Sequence, residues 1–259
     1  MARFKLTLEY EGTRYRGWQV QKNARTVAGE IEDAVQRFSG RKDFELYGSG
    51  RTDAGVHALA QVAHLDLNTT HDPERLRFAL NDELPADINV LASERVGRRF
   101  HARHDAVMRS YLYQVSRRRT ALAKPFVWWV KDSLDANAMR DAAQVFAGLH
   151  DFRSFASGRP EESDETRVKV DRVELVEAGS LILLRVVGSH FLWRMVRRMV
   201  GVLVECGRGG LAREDVPRML HAESDLPARL TAPPSGLFLE RVLYPGDVVD
   251  RPLRPVLDV

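Results

Sequence analysis

Residues 48–58 read GSGRTDAGVHA, with three glycines around one arginine and one aspartate. Glycine permits backbone conformations and close approaches that other residues resist. Such a loop can hold one carboxylate, that of Asp53, at a fixed point beside a substrate. Arg51, two residues earlier, can hold a phosphate or keep Asp53 ionised, because a nearby positive charge lowers a carboxylate pKa. A structural turn with a solvated Arg–Asp pair has the same composition, and the loop alone does not choose. Tyr111 and Tyr113 stand two apart and share one face of a strand. They form either an aromatic stripe on the core or a surface on which an unpaired base stacks. Arg197 lies near the edge of an apolar helical stripe, about 140° around from Leu192. Its guanidinium there either enters a cleft beside a sheet or snorkels to water.

Other candidates carry less. His71-Asp72, His104-Asp105 and His150-Asp151 are the pairs a metal-dependent phosphohydrolase would use. However, no two histidines fall at the i, i+4 spacing of a helical zinc site, Asp72 reads as a helix cap, and His104-Asp105 sits in a basic linker. No metal is expected. There is no Gly-x-x-x-x-Gly-Lys phosphate loop and no Gly-x-Ser-x-Gly elbow. The one cysteine, Cys206, ends an apolar helix and reads as core, and alone it forms no intrachain disulfide.

The chain has 259 residues, 44% hydrophobic and 29% charged, which fits a folded soluble protein of one large or two ordinary domains. The longest apolar runs, such as Leu181–Leu184, are far too short for a bilayer, and the N-terminus MARFKLTLEYEG lacks the apolar core of a secretion signal. A cytoplasmic protein with no membrane partner is expected. Net charge is only +3, yet all but six of the 39 Lys and Arg are arginine. Arg95, Arg98, Arg99, Arg103 and Arg109 cluster, as do Arg117–Arg119 and Arg194, Arg197 and Arg198. Phe100, His101, His104, Tyr111, Tyr113 and Trp193 interleave with them. Basic clusters with stacking groups are what an RNA binder needs; a solvated basic face has a similar appearance.

These side chains need a frame. Phe4, Leu6, Leu8 and Tyr10 alternate as a half-buried strand. Thr26 caps a helix with apolar positions Val27, Ile31, Ala34, Val35 and Phe38, and Gly40 ends it. Residues 44–47 form a short strand, the glycine loop follows, and residues 59–67 form another. Asp72-Pro73 opens a second helix with a cap and a proline at its first position; 88–96 is a strand. In the second half, strands at 110–116, 168–176 and 181–187 accompany helices at 135–146 and 191–206, a short helix at 215–221, and a last strand at 237–244. Ala178-Gly179-Ser180 is a hairpin signal. Residues 159–165 are polar and read as a loop. The order is β-α-β-β-α-β twice. This predicts an α+β chain of two tandem ferredoxin-like or RRM-like units with mostly antiparallel sheet, divided into 1–105 and 106–259.

GSGRTDAGVHA closely resembles the signature of the tRNA pseudouridine synthase A family. Other segments match in order: Tyr10-Glu11-Gly12-Thr13 with Gly17-Trp18-Gln19, Phe100-His101-Ala102-Arg103, Arg109-Ser110-Tyr111-Leu112-Tyr113, and His150-Asp151-Phe152 with Ser154-Phe155. So do Phe191-Leu192 with Met195-Val196-Arg197 and Val200-Gly201, and Ala232-Pro233-Pro234 with Gly236-Leu237 and Tyr244-Pro245. The resemblance spans nearly the whole chain. Trp193-Arg194 departs from it, because many members carry polar or histidine residues there.

The resemblance implies a pseudouridine synthase fold and an enzyme that isomerises uridine to pseudouridine on the 3′ side of the anticodon stem-loop of tRNA, without cofactor or metal. It implies Asp53 as nucleophile, attacking either the ribose C1′ or the uracil ring. Tyr111 then stacks on the target uracil or takes the C5 proton, and Arg197 keeps Asp53 ionised. Arg51 fills the gap left by the flipped nucleotide, and Leu237 is an apolar wall of the pocket. Family members act as homodimers, with arginine clusters on the phosphates of the anticodon arm. The rival expectations are a catalytically silent RNA-binding protein of the same fold and a chelator-sensitive phosphohydrolase.

Overall fold

A computed structural model describes residues 1–158, 165–248 and 251–257. In chain order the elements are β1 (Ala2–Tyr10), α1 (Val27–Ser39), β2 (Glu45–Gly48), β3 (His57–Leu67), α2 (Pro73–Glu83), β4 (Ile88–Val96), β5 (Met108–Ser116), β6 (Trp128–Trp129), α3 (Ala136–Ala143), β7 (Gly148–Asp151), β8 (Arg167–Ala178), β9 (Leu181–Gly188), α4 (Met195–Gly207), α5 (Asp215–His221), α6 (Leu226–Arg229) and β10 (Leu237–Leu243). They pack as two compact units. One is Met1–Val107 with Phe238–Val248; the other is Met108–Leu237 with the C-terminal segment.

In the first unit, Phe4, Leu6, Leu8 and Tyr10 are buried at alternate positions of β1, as the pattern predicts. Helix α1 buries Val27, Ala28, Ile31, Ala34 and Val35. The Thr26 hydroxyl accepts from the Gly29 amide at 3.3 Å, and Gly40 closes the helix at φ 67°. Asp72 accepts from the Arg75 amide at 2.9 Å, with Pro73 opening α2. Strand β1 lies between β4 and β3, antiparallel to both. The eleven residues of β3 serve two further partners. Its later part pairs antiparallel with β2, from Ala63 to Asp66, and its first residues pair parallel with β10, His57 with Phe238 and Ala58 with Leu239. The expected division at 105/106 places the last strand with the C-terminal half; by packing, Phe238–Val248 groups with the first unit.

The second unit is also mixed and mostly antiparallel. β9 lies between β5 and β8, β7 edges β8, and β6 runs parallel to the end of β5. The β8–β9 hairpin turns at Gly179, φ 57°, where the sequence signal placed it. Every residue of β9 is buried, so apolar residues fill both of its faces, and the one charge, Arg185, is buried with its Nη1 donating to Glu174 at 3.0 Å. Two features differ from expectation. The strands β6 and β7 are too short to leave a periodic signal. The helix expected from Phe191 begins four residues later, at Met195, because Arg194 takes φ 63° and the Met195 amide closes a turn onto the Leu192 carbonyl at 3.0 Å. Of the expected loop at 159–165, residues 159–164 lie outside the described residues. Among the described residues no helix is long and apolar enough to cross a membrane.

His64 in β3 illustrates why the Phe100–Arg103 segment has its composition. Its buried Nδ1 accepts the Ala102 amide at 3.1 Å, and its ring stacks on Tyr47 and meets His101 edge-on. Burial, with Arg3 and His101 nearby, pushes its pKa down to about 4. The fold therefore favours neutral His64. Its stabilisation is complete above the unfolded value near 6.5 and is lost as pH falls toward 4. Relative to a His64→Gln variant, the wild type should lose about 1 kcal/mol between pH 7.5 and pH 5.5. Urea midpoints at the two pH values check this; equal shifts in both proteins overturn it.

Candidate active site

The Asp53 loop is held from all sides by the segment Tyr10–Trp18. The Trp18 amide donates to the Thr52 carbonyl at 3.1 Å, and the Tyr10 and Thr52 hydroxyls share a hydrogen bond of 2.8 Å. The Gly55 amide donates to the Tyr15 carbonyl at 3.2 Å. The Val56 amide closes a tight turn onto the Asp53 carbonyl at 3.1 Å, with Gly55 at φ 78°. At the loop's start, the Ser49 hydroxyl donates to the Gln61 side chain at 2.7 Å, and that amide's nitrogen donates to the Gly50 carbonyl.

Two glycines make this contact possible. A Cβ on Gly12 would lie 1.9 Å from the Val56 carbonyl oxygen, and one on Gly17 would lie 2.4 Å from that of Thr52. Gly17 also sits at φ 95°, which side-chain-bearing residues rarely adopt. The Gly12 amide reaches past Val56 to donate to His57 Nδ1 at 3.0 Å, which fixes the proton of the neutral ring on Nε2. The two sequence motifs are thus halves of one interlocked structure. Its product is a half-buried Asp53 on a rigid backbone, with Arg51 exposed beside it.

The other expected residues fall in the second unit. The two tyrosines of β5 separate into different roles. Tyr113 is fully buried; its hydroxyl donates to the Pro233 carbonyl at 2.8 Å, its ring fills the space where Gly236 lacks a side chain, and burial raises its pKa well above the usual tyrosine range. Tyr111 is half-buried and packs edge-on against Phe191, with ring centroids 5.1 Å apart. Of these two tyrosines, Tyr111 is the one that combines a constrained ring with exposure.

Arg197 is tied twice to one residue. Its Nε donates to the Ala232 carbonyl at 2.7 Å, and its own carbonyl accepts the Ala232 amide at 3.1 Å. Gly201, one turn on, lets residues 230–232 approach: a Cβ there would lie 1.7 Å from the Leu230 carbonyl oxygen. Half-buried Arg197 is therefore oriented rather than snorkelling. Leu237, following Gly236, is buried.

Sequence reasoning missed the part played by Arg198. It is buried, and its Nη1 donates to the carbonyls of Ser154 (3.2 Å) and Ala156, in the turn that carries the His-Asp-Phe motif. Burial first, then Arg194 and Arg197, lowers its pKa. The available signal was its position, about 100° around the helix from Arg197 and on the opposite flank of the apolar stripe. Cys206 is core, with burial raising its thiol to about 11. The three His-Asp pairs do not converge; among the described residues no three His, Cys, Asp or Glu group as a metal requires.

Comparison with known proteins adds an independent finding. Residues 7–105 and 142–245 match the family model described as tRNA pseudouridine synthase. Arg51, Asp53, Arg197 and Leu237 fall inside the matched ranges, and Tyr111 falls between them. The chain is 39% identical over 264 residues to a tRNA pseudouridine synthase A of Agrobacterium fabrum, covering 100% of this chain and 98% of the relative. It is 40% identical over 249 residues to one of Bartonella tribocorum (94% and 100%), and 41% identical over 244 residues to one of an Exiguobacterium species (94% and 98%).

Proposed function

Because the chain belongs to the tRNA pseudouridine synthase family, isomerases that act on tRNA, we propose that it acts on uridines of the anticodon stem-loop, with Asp53 as nucleophile. The observation that carries the assignment of Asp53 is the interlocked loop, whose backbone is clamped on both sides of that carboxylate. Catalysis by position needs this rigidity, since a nucleophile gains most when its approach is fixed beforehand.

The isomerisation is redox-neutral. The bond from N1 to ribose C1′ breaks, the uracil turns over, and C5 bonds to C1′. The C5 proton leaves to a base and N1 gains one. Asp53 forms the covalent adduct: at ribose C1′ it is displaced as C5 bonds to C1′, and on the uracil ring it leaves by elimination after that bond is made. On the family's pattern Arg197 is the cation that serves Asp53, and its double tie to Ala232 supports an oriented role. Tyr111 stacks on the uracil drawn from its helix, Leu237 lines the apolar side of the pocket, and Arg51 occupies the space the nucleotide leaves. On the family's pattern, the working form is a cytoplasmic homodimer needing no metal or cofactor; sedimentation at single-chain mass overturns the dimer.

The deciding experiment supplies unmodified tRNA labelled with tritium at uridine C5, alongside an isolated anticodon-arm RNA. Release from both supports the reading. Release from tRNA when only uridines outside the anticodon arm carry label overturns the assigned region. Tight binding without release overturns the enzymatic reading for that substrate. A companion pair separates the tyrosines. Tyr113→Phe leaves the Pro233 carbonyl without its donor, and should lower stability by about 1–2 kcal/mol while label release persists. Tyr111→Ala should abolish release at temperatures where the variant is still folded, despite some loss of stability from its contact with Phe191. The reverse pattern overturns the division of roles.

A further inference from the structure

Trp193 has no part in the reaction just described, yet its ring is 57% exposed at the entry to α4, the most exposed aromatic ring among the described residues. Exposure of this size is unusual for a tryptophan, whose large apolar surface is ordinarily mostly buried. Its backbone is also held. Its carbonyl accepts the Ser157 amide at 2.8 Å, and the turn from Leu192 to Met195 fixes the backbone on either side. The Arg194 guanidinium lies over the ring, 5.0 Å from its centroid. Arg194 itself is held at φ 63°, one of only two positive-φ non-glycine residues among those described. A side chain there costs about 1 kcal/mol that glycine would not, so the backbone is held against its preference in the place that carries the guanidinium.

Neighbours show what lies beside this pair. Two residues earlier, Phe191 packs on Tyr111; one helical turn later stands Arg197. Trp193 is thus an exposed aromatic at the rim of the segment that also holds the ring proposed to stack on the target uracil. Three arginines follow it: Arg194 over the ring, then Arg197 and the buried Arg198 in α4. An aromatic face with a guanidinium on it, in a positive field, suits a nucleobase and its phosphate better than an apolar protein surface.

We propose that Trp193 and Arg194 form a platform for a nucleotide of the substrate RNA beside the target uridine, the base stacking on the indole and the phosphate meeting the guanidinium. This rests on the proposed placement of the target on Tyr111, and it assigns a substrate-positioning role to residues that the family signature does not supply.

The test measures the dissociation constant of fluorescently labelled, unmodified tRNA by anisotropy across a series of salt concentrations. Trp193→Ala should weaken binding roughly tenfold, the size of one base–aromatic stack, at every salt concentration. Trp193→Phe should recover most of the loss. Arg194→Gly, which relieves the backbone conformation, should raise or preserve the thermal midpoint while weakening binding and lowering the salt slope by about one phosphate contact. Unchanged affinity in both Trp193→Ala and Arg194→Gly overturns the platform. So does a shift in sedimentation on Trp193→Ala without loss of RNA affinity, which would make the ring a contact between copies of the chain. Tritium release by wild type is scored separately. If wild type binds tRNA but releases no label, the catalytic reading fails, while the platform still stands or falls on these affinities.

Discussion

Asp53→Asn should abolish tritium release from uridine C5, with a loss of at least about 10⁴-fold in single turnover, the scale seen when a covalent nucleophile is removed. The substitution keeps the side chain's size and leaves the loop's backbone bonds in place, because those run through the Thr52 and Asp53 carbonyls rather than the carboxylate. The variant should therefore still fold, with a single cooperative urea transition. Together the two measurements are decisive. Loss of release with an intact transition assigns the chemistry to the carboxylate. Loss of both makes Asp53 a structural residue, and retention of release means another group attacks.

The second large effect is expected at a residue with no chemistry of its own. Gly17→Ala places a Cβ 2.4 Å from the Thr52 carbonyl oxygen at a backbone φ of 95°. The contact is with backbone, so no side-chain rotation relieves it. Either the Trp18–Thr52 hydrogen bond opens or Asp53 moves. A destabilisation of about 3 kcal/mol is expected from the clash and the unfavourable φ together. A displacement near 1 Å at Asp53 should also cost about 10²-fold in turnover. Measured at saturating tRNA and well below the melting temperature, the rate loss should persist; a variant that loses stability but turns over normally would show that the loop tolerates movement. Gly40→Ala is the control, since that glycine also has positive φ but nothing lies within 4 Å of its added Cβ. It should lose stability alone.

Much of this was legible in the chain because the signals are local. Thr26, Gly40 and the Asp72-Pro73 pair specify helix ends through their own side chains and dihedrals, and they do so where expected. The alternation of Phe4 to Tyr10 needs only a strand and one buried face. What was missed depends on partners distant in sequence. The start of α4 is set by a turn at Leu192–Met195 and by Ser157 capturing the Trp193 carbonyl, which no helical periodicity encodes. Arg198 and Arg197 are adjacent letters; burial against residues 154 and 156 separates their roles. His64 carries no motif, yet it anchors the Ala102 amide from 38 residues away. For the candidate site, the identity of Asp53 was conspicuous in its glycine frame. The reason for that frame, Gly12 and Gly17 pressed against the loop, emerges only when both segments are folded together.

The three-partner strand β3 has a consequence for how the chain is made. Its first residues, which continue directly from the Asp53 loop, pair with β10, and the partners His57 and Phe238 are 181 residues apart in sequence. Pairings of such sequence separation form late, because a long loop must close before any contact rewards it. A ribosome emitting this chain releases β1, α1, β3 and α2 well before β10 exists. During synthesis the strand that leads out of the loop therefore lacks one neighbour. It gains that neighbour only after the 181 residues that follow His57, through Phe238, have been made, so completion of the N-terminal unit waits on a segment far downstream.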